Sequence, residues 1–506
     1  MLTPPDVLPD LRRAPLRARL AVGSAYILFA AIIGQGFALM TSIIYARLLG
    51  KGNLGVLSIY SQLASIAVLA AGLGLETSIA KFVAQLRMES KAVLAKFLAT
   101  VLGVTLVAAS CVTIALVVVV APLAEGTFGR FELGLMIRLT GIFLVVNSLG
   151  GFAAGILRGL QAIRRLAILG IIIEATTVPV AFVSISVYGL VGVSVSGILL
   201  VGVTTSLLLV SARRSLALEG VRIRVGLEIA SAKMLFAYSM PLLASALVLK
   251  VALWLQTSLV ALNLGYGDTG LLRVATTIAG IVAFAPAAIT VPLLPALSEM
   301  YSGHSADDSQ RKLTTIVKVT AHIGIPLAVG VGLFGGFLIQ FFYGTEYAGA
   351  SFLCFVLAMT AYLDMVRVVA ANSLLGEGRT TTVFMLDSLQ MAILITSTLS
   401  FLTWFGLVGA GYASLLSSVV YFALVIGLLG ERRRMEVSRL APALLLSMVA
   451  PGMALAAILF LNGQTNYLVA LAVFLLSIAM SWTLFERSER LLMLRAARDL
   501  LRMRLP

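Results

Sequence analysis

The chain has 506 residues, of which 60% are hydrophobic and only 12% are charged, and its net charge is +15. Soluble proteins carry about 25% charged residues, so this composition excludes a water-soluble fold and predicts a protein whose surface faces lipid. The positive charge does not indicate a nucleic-acid partner. Lys and Arg occur in short clusters between apolar runs, where the positive-inside rule places them.

The N-terminal residues predict a cytoplasmic tail over 1–20 and then a membrane span. Arginines precede an apolar run over 21–46, an arrangement that also begins signal peptides. The run is too long for the apolar region of a signal peptide, and no convincing cleavage site is present. We therefore interpret it as the first span.

Apolar runs of spanning length continue along the chain. They predict an all-α integral membrane protein with about fourteen transmembrane helices and both ends in the cytoplasm. The predicted spans cover 21–46, 53–75, 94–120, 133–157, 165–187, 189–212, 234–260, 268–293, 313–340, 349–374, 381–404, 407–430, 440–461 and 466–485. Residues 486–506 have Leu and Arg at helical spacing and predict an amphipathic cytoplasmic tail.

The basic residues support this topology. Thirty of the 37 Lys and Arg residues fall in segments that it places in the cytoplasm, as expected for a multi-pass protein of the plasma membrane. The segments between spans are too short for a soluble catalytic domain, so we expect no enzyme. Cys111 and Cys354 lie in apolar runs, and no metal, nucleotide or nucleophile motif is present, so we expect no cofactor and no metal site.

An internal repeat divides the predicted spans. Leu49–Leu57 recurs as Leu264–Leu272 at an offset of 215, Tyr188–Gly192 as Phe405–Gly409 at 217, and Leu157 and Gly159 as Leu374 and Gly376 at 217. Shared membrane-turn chemistry is the alternative explanation. The offset contains an even number of spans, so the halves enter the membrane in the same direction. We predict an N-lobe over 21–212, a cytoplasmic linker over 213–233, a C-lobe over 234–430, and two extra C-terminal helices over 440–485. Two six-helix lobes around a cavity are typical of alternating-access transporters.

Several motifs resemble those of a transporter family. Ala46-Arg47-Leu48-Leu49-Gly50, Gly55, Gly72-Leu73-Gly74-Leu75, Ala80-Lys81-Phe82, Ser239-Met240-Pro241-Leu242-Leu243 and Val291-Pro292-Leu293-Leu294-Pro295 are similar, in order and spacing, to signatures of polysaccharide and oligosaccharide-lipid flippases. These belong to the multidrug/oligosaccharidyl-lipid/polysaccharide exporter superfamily. The family often has an acidic or basic residue late in the seventh span, where this chain has Gln256, so the resemblance implies no role for that position.

The resemblance implies a function and a substrate. A polyprenyl- or dolichyl-(pyro)phosphate-linked oligosaccharide would be turned across the membrane, for assembly of a cell-surface polysaccharide or glycoprotein, without covalent chemistry. It implies a twelve-span core with a cavity between two lobes. The partners would be the lipid-linked glycan, membrane lipids and complexes with a glycan polymerase or glycosyltransferases, but no nucleic acid.

Polar residues inside predicted spans are the candidate substrate contacts. Placing them in lipid costs free energy, so they usually face a cavity or a partner. Lys250 lies near the middle of the seventh span, where a cation suits an anionic phosphate. A structural ion pair with a carboxylate is the alternative. Its repeat equivalent is Gln35 in the first span, which lines the cavity in this interpretation, although Gly34 and Gly36 equally predict close helix packing.

Carboxyl groups in the spans are candidates for ion coupling. Asp364 is the repeat equivalent of Asn147, a candidate cavity residue, and shares a helical face with Arg367. The pair either neutralises itself or leaves Asp364 to bind a coupling cation. Glu174 and Asp387 are further candidates for carrying a proton. Arg47, Lys51, Arg138 and Arg273 lie toward the predicted outer face, where they form either a phosphate-release site or interfacial anchors.

Two other functions remain open. A cation-coupled multidrug antiporter of the same superfamily commonly has an acidic residue in the first span, but 21–46 contains none. Together with Lys250, this favours an anionic substrate. A membrane glycan polymerase usually needs carboxylates or arginines on sizeable outer loops, and the predicted outer loops are short.

Overall fold

A computed structural model describes residues 16–221, 229–283, 306–376, 379–431, 452–453 and 467–484. Within these residues the chain is helical and contains no β-strand. Long apolar helices are the expected result, because a backbone in lipid has no water to satisfy its polar groups and must bond within its own segment. Nine stretches of the described residues are long and apolar enough to cross a membrane. The chain is a multi-pass α-helical membrane protein.

The N-terminal half contains seven helices and the first part of an eighth. They are α1 Leu16–Gly72, α2 Leu75–Glu89, α3 Lys91–Ala115, α4 Ala121–Phe128, α5 Phe131–Gly159, α6 Ile163–Tyr188, α7 Gly192–Leu218 and α8 Ile229–Leu264. A π-helical turn, Leu116–Val120, joins α3 to α4. Helix α5 is central: α1, α2, α3 and α7 all pack against it, and α6 packs against α1 and α7.

The described C-terminal half continues with six helices. They are α9 Tyr266–Ala279, α10 Ala306–Phe342, α11 Ser351–Gly376, α12 Thr380–Phe405, α13 Leu407–Glu431 and α14 Tyr467–Leu484. Helix α11 packs against α9, α10, α12 and α13, while α14 packs against α10. The chain divides into two compact units, Met1–Trp254 and Leu255–Pro506. That division falls inside α8, whereas the sequence placed the lobe boundary in the linker 213–233.

Among the described residues the predicted spans coincide with helices, and two predicted connecting segments are themselves helical. The predicted turn between the first two spans is present at Gly50, whose non-helical backbone (φ 70, ψ 169) separates two helical parts of α1. The predicted cytoplasmic segment after the second span contains α2, whose apolar face, including Ile79 and Val83, is buried. The predicted outer loop before the fourth span contains α4. Span 440–461 and the tail 486–506 lie almost wholly outside the described residues.

The sequence repeat is present in the backbone. Gly189 (φ 57, ψ −136) and Gly406 (φ 56, ψ −138) turn the chain in nearly the same way between successive helices. Both have a positive φ that only glycine adopts without strain. At another pair of equivalent positions, the amides of Ala162 and Arg379 donate to the carbonyls of Leu157 and Leu374, each at 2.9 Å. Matching turns 217 residues apart indicate a duplicated six-helix unit rather than shared turn composition alone.

Candidate functional site

A charged cluster lies among α11, α12 and α13 of the C-terminal unit. Arg367 donates from Nε to Asp364 Oδ1 at 3.1 Å, and its Nη1 lies 3.7 Å from Asp387 Oδ1. Its guanidinium carbon stands 4.6 Å from the centre of the Tyr421 ring. The Arg367 side chain is only 14% exposed. One buried cation therefore contacts two carboxylates and an aromatic face.

Neutral polar groups extend this cluster. The Ser418 hydroxyl donates to Asp364 Oδ1 at 2.9 Å, and Gln390 Nε2 donates to the Ser418 hydroxyl at 3.3 Å. Gln390 is 4% exposed, and its Oε1 is buried with no hydrogen-bond partner among the described residues. The cluster thus contains an unsatisfied acceptor beside its carboxylates.

The formal charge of the cluster defines its chemistry. With both carboxylates ionised, Asp364, Arg367 and Asp387 together carry a charge of −1, on carboxylates that are 37% and 21% exposed. One proton or one monovalent cation would neutralise them. The two carboxylates share one cation, Arg367. The sequence identified Asp364, Arg367 and Asp387 separately, and the structure brings them together.

Three members of the cluster were missed from the sequence: Gln390, Ser418 and Tyr421. The available signal was helical spacing, because Asp387 and Gln390 are three residues apart on α12, and Ser418 and Tyr421 are three apart on α13. Neither pair contains an opposite charge that would have drawn attention to it.

Gln256 forms a second polar contact in the C-terminal unit. Its Nε2 lies 3.0 Å from both the Ala410 carbonyl and Ser414 Oγ, and 3.4 Å from Thr398 Oγ1. The Ser414 and Thr398 hydroxyls already donate to backbone carbonyls, so both accept from the amide. Three surrounding acceptors determine which end of the amide points toward α12 and α13. Gln256 therefore links α8 to these helices.

In the N-terminal unit, Glu174 lies beside the first helix. Its Cγ is 3.7 Å from the position that a Cβ would occupy on Gly34, where α6 packs along α1. Gln35, the next residue, is exposed. The structure thus brings Glu174, a candidate coupling residue, next to the Gln35 segment, at a distance where even a Cβ on Gly34 would make only an ordinary van der Waals contact.

Asn147 lines a cavity of about 160 Å³ in the same unit. Thr105, which also lines it, is 3% exposed, and its hydroxyl is buried without a hydrogen-bond partner among the described residues. Glu76 at the cavity pairs with Arg158 at 3.1 Å. A cavity with this volume and these polar groups has the space and the partners to hold water.

Lys250 lies on α8 and is partly exposed. No carboxylate among the described residues of its own unit lies within ion-pair distance of it. The sequence left open whether Lys250 forms a structural ion pair or contacts a ligand. Within the described N-terminal unit, the geometry provides no support for the ion pair.

The three outer arginines have different surroundings. Arg138 makes a two-pronged ion pair with Glu125, with distances of 2.5 and 3.1 Å, between α5 and α4. That bond occupies the guanidinium and holds α4 against α5. Arg47 is exposed on α1, three residues before the kink at Gly50, and Arg273 is partly buried on α9.

The sequence matches one protein family and one glycan flippase. Residues 44–352 match a family model described as polysaccharide biosynthesis protein. A probable low-salt glycan biosynthesis flippase, Agl15 of Haloferax volcanii, is 23% identical over 408 residues, which cover 79% of this chain and 81% of that protein.

Two solved structures show the same fold. A lipid II flippase, MurJ, in an inward closed conformation superposes with a TM-score of 0.67 at 16% identity, over 95% of this chain and 100% of that one. An inward-facing multidrug resistance MATE family transporter of the MOP superfamily has a TM-score of 0.67 at 14% identity, over 80% of this chain and 98% of that one.

Proposed function

This chain belongs to the polysaccharide biosynthesis protein family, and from that membership we propose that it flips a lipid-linked oligosaccharide across the cytoplasmic membrane by alternating access. The observation that carries the proposal is the duplicated six-helix unit, with matching backbone turns at Gly189 and Gly406. Such repeats suit a protein in which one half moves against the other. The glycan flippase relative, which matches along most of its length, supports a glycan as cargo.

The substrate in this proposal carries its glycan on a polyprenyl or dolichyl (pyro)phosphate. Lys250 contacts the phosphate, since an ammonium group without a nearby carboxylate in its own unit is available to an anion. Gln35 and Asn147 provide polar contacts for the glycan, and Arg47 and Arg273 act near the outer face. Arg138 contributes less to binding, because Glu125 already neutralises it.

Ion coupling is assigned to the charged cluster. Asp364, Arg367 and Asp387 gain or lose one monovalent cation or proton as the protein changes conformation. Glu174, beside the first helix, is the corresponding candidate in the N-terminal unit. Both termini face the cytoplasm, and the protein works beside the glycosyltransferases or polymerase that make and use its cargo.

Transport by reconstituted protein tests this function. Proteoliposomes would contain a fluorescent polyprenyl-diphosphate-linked oligosaccharide, and a membrane-impermeant quencher would report how much label is protected inside. We expect Lys250→Ala to lower the flipping rate to background, and Lys250→Arg to retain much of it. Lys96→Ala, at an exposed cation on α3, is the matched control. Full transport by monodisperse Lys250→Ala protein would contradict the role of Lys250.

A second candidate function is cation-coupled drug export. It is favoured by the negatively charged C-terminal cluster and by the MATE-like fold. The same proteoliposomes, loaded with a cationic dye and given a proton or sodium gradient, separate the two. Gradient-dependent dye movement without glycan flipping would support the exporter and overturn the flippase.

A further inference from the structure

A large cavity opens at one end of the N-terminal unit. It has a volume of about 1040 Å³ and is lined mainly by α5 and α7, with one residue from α3. Phe152, Ile156 and Ala212 form part of its lining and are at most 4% exposed. Nearly all of the lining is apolar, so the cavity presents a hydrocarbon-like wall to whatever fills it.

The C-terminal end of α7 forms one wall of this cavity. Gly220 has a φ of 71°, and its amide donates to the Ala217 carbonyl at 3.0 Å, while the Val221 amide donates to Leu216 at 2.9 Å. This pair of bonds is the Schellman arrangement that ends many helices. It turns Val221 back against Leu216, and both line the cavity.

Two cations stand at the mouth of the cavity. Arg213 lines it and is exposed, and the Lys91 ammonium lies 3.3 Å from the position that a Cβ would occupy on Gly220. Neither forms an ion pair or a hydrogen bond with another residue that the structure describes. Glu219 is the acid adjacent in sequence and is exposed, so these three groups have a net charge of +1.

We propose that this cavity binds an anionic phospholipid of the cytoplasmic leaflet. The phosphate lies between Arg213 and Lys91, and the acyl chain lies against the apolar lining. A basic mouth on an apolar pocket between membrane helices, at the cytoplasmic side, is the arrangement expected to bind an acidic lipid headgroup. A small soluble anion would use the two cations and leave the apolar lining without a partner.

This site is separate from the residues assigned to transport, so it does not depend on the flippase proposal. The bound lipid would join α7 to the N-terminal end of α3, where Lys91 begins the helix. Because α3 and α7 both pack on α5, the lipid fills the space between them. Its removal would weaken this end of the unit without changing Lys250 or the charged cluster.

Lipid retention by the purified full-length protein tests the proposal. The protein would be equilibrated with mixed micelles containing phosphatidylglycerol and phosphatidylcholine with the same acyl chains, and bound lipids would be counted by native mass spectrometry. We expect wild-type protein to retain phosphatidylglycerol preferentially. With about 1 kcal/mol for each basic residue near a lipid headgroup, the double variant Lys91→Ala/Arg213→Ala should lower its affinity about thirtyfold.

Two further variants make the result specific. Arg214→Ala removes a neighbouring exposed arginine that does not line the cavity, and it should retain the lipid. Ala217→Trp keeps both cations but fills the rim of the cavity with an indole, and it should lose the lipid. Helix content and monodispersity would be measured for every variant to show that it is folded.

Three outcomes would overturn the proposal. The first is equal retention by wild type and a folded double variant. The second is equal competition by inorganic phosphate, which would indicate a site for a soluble anion. The third is stoichiometric displacement by a polyprenyl-diphosphate-linked glycan at the same residues, which would make the cavity a substrate site. Because no transport is measured, failure here leaves the proposed function untouched.

Discussion

The two halves of the chain have the same turns but differ in what their equivalent helices contain. In the C-terminal half, Arg367, Asp387 and Ser418 meet in a charged cluster. The residues 217 positions earlier are Gly150, Gly170 and Val201. At Gly150, a Cβ would lie 2.7 Å from Thr205 Oγ1, so the helices there approach too closely for any side chain.

Equivalent helix pairs of the duplicated unit therefore pack in different ways. Close packing through glycine holds α5 against α7, as small residues commonly do between membrane helices. In the other half the same helix pair is spaced for a buried arginine and its carboxylates. Asp364 and Asn147 are an equivalent position on this helix pair at which both halves retain a polar group. At the positions equivalent to the charged cluster, the N-terminal half therefore has close contact through Gly150 where the C-terminal half has charge.

Arg367→Ala should have the largest effect. It leaves Asp364 and Asp387 without their shared cation. Because these carboxylates are 37% and 21% exposed, the expected cost is about 3 kcal/mol, the lower end of the range for a buried pair. We expect this loss in denaturant titration of the detergent-solubilised protein. Arg47→Ala, at an exposed arginine, is the control. A folded Arg367→Ala protein as stable as wild type would show that the carboxylates are neutral without Arg367.

Gly150→Ala should destabilise the N-terminal half by about 1–3 kcal/mol, the usual penalty for overpacking. Its methyl group would press on Thr205, whose hydroxyl already donates to the Val146 carbonyl at 3.0 Å. Gly151→Ala is the matched control, because a Cβ there meets nothing within 4 Å. The same denaturant titration compares them, and equal stability of the two variants would disprove close packing at Gly150.

Asp387→Asn should weaken ion coupling. It changes the formal charge of the cluster from −1 to zero, so the cation or proton that neutralises it is no longer needed. We expect the dependence of transport on a proton or sodium gradient to fall about tenfold, which corresponds to about 1.4 kcal/mol. The substitution Gly170→Ala, at the equivalent position of α6, is the control. An unchanged gradient dependence would remove the cluster from the coupling mechanism.

Ser418→Ala should have the smallest effect. It removes the hydrogen bonds to Asp364 and from Gln390, and interhelical hydrogen bonds in membrane proteins are worth about 0.6 kcal/mol on average. Val201→Ala, at the equivalent position, removes only apolar contacts. A loss at Ser418 as large as that at Arg367 would mean that the serine, rather than the arginine, maintains the cluster.

Much of the architecture could be predicted because lipid imposes simple rules. Apolar length and the positions of Lys and Arg predicted the spans, and repeated Gly-containing turns predicted the duplication that Gly189 and Gly406 display. The helix between Leu75 and Glu89 was missed as a packed element, since its amphipathic period is equally typical of a surface segment.

The candidate site was predicted only in part. Asp364 and Asp387 stood out because an ionisable group in a span is costly wherever it lies. Ser418, Gln390 and Tyr421 did not, since hydroxyls and amides are common in membrane helices and their role depends on which helix they face. For Arg138 the sequence left the choice between a phosphate-release site and an interfacial anchor. Its ion pair with Glu125 depends on the packing of α4 against α5, which the sequence does not reveal.

The sequence by itself therefore determined which segments are helical and where the chain repeats, and it predicts how they are oriented. These properties depend on local periodicity and on transfer to lipid, which act on each segment separately. The tertiary structure decided that Arg367 serves two carboxylates, that Glu174 lies beside Gly34, and that Lys91 and Arg213 stand at one cavity. Such contacts depend on the rotation and spacing of helices, which packing between side chains sets.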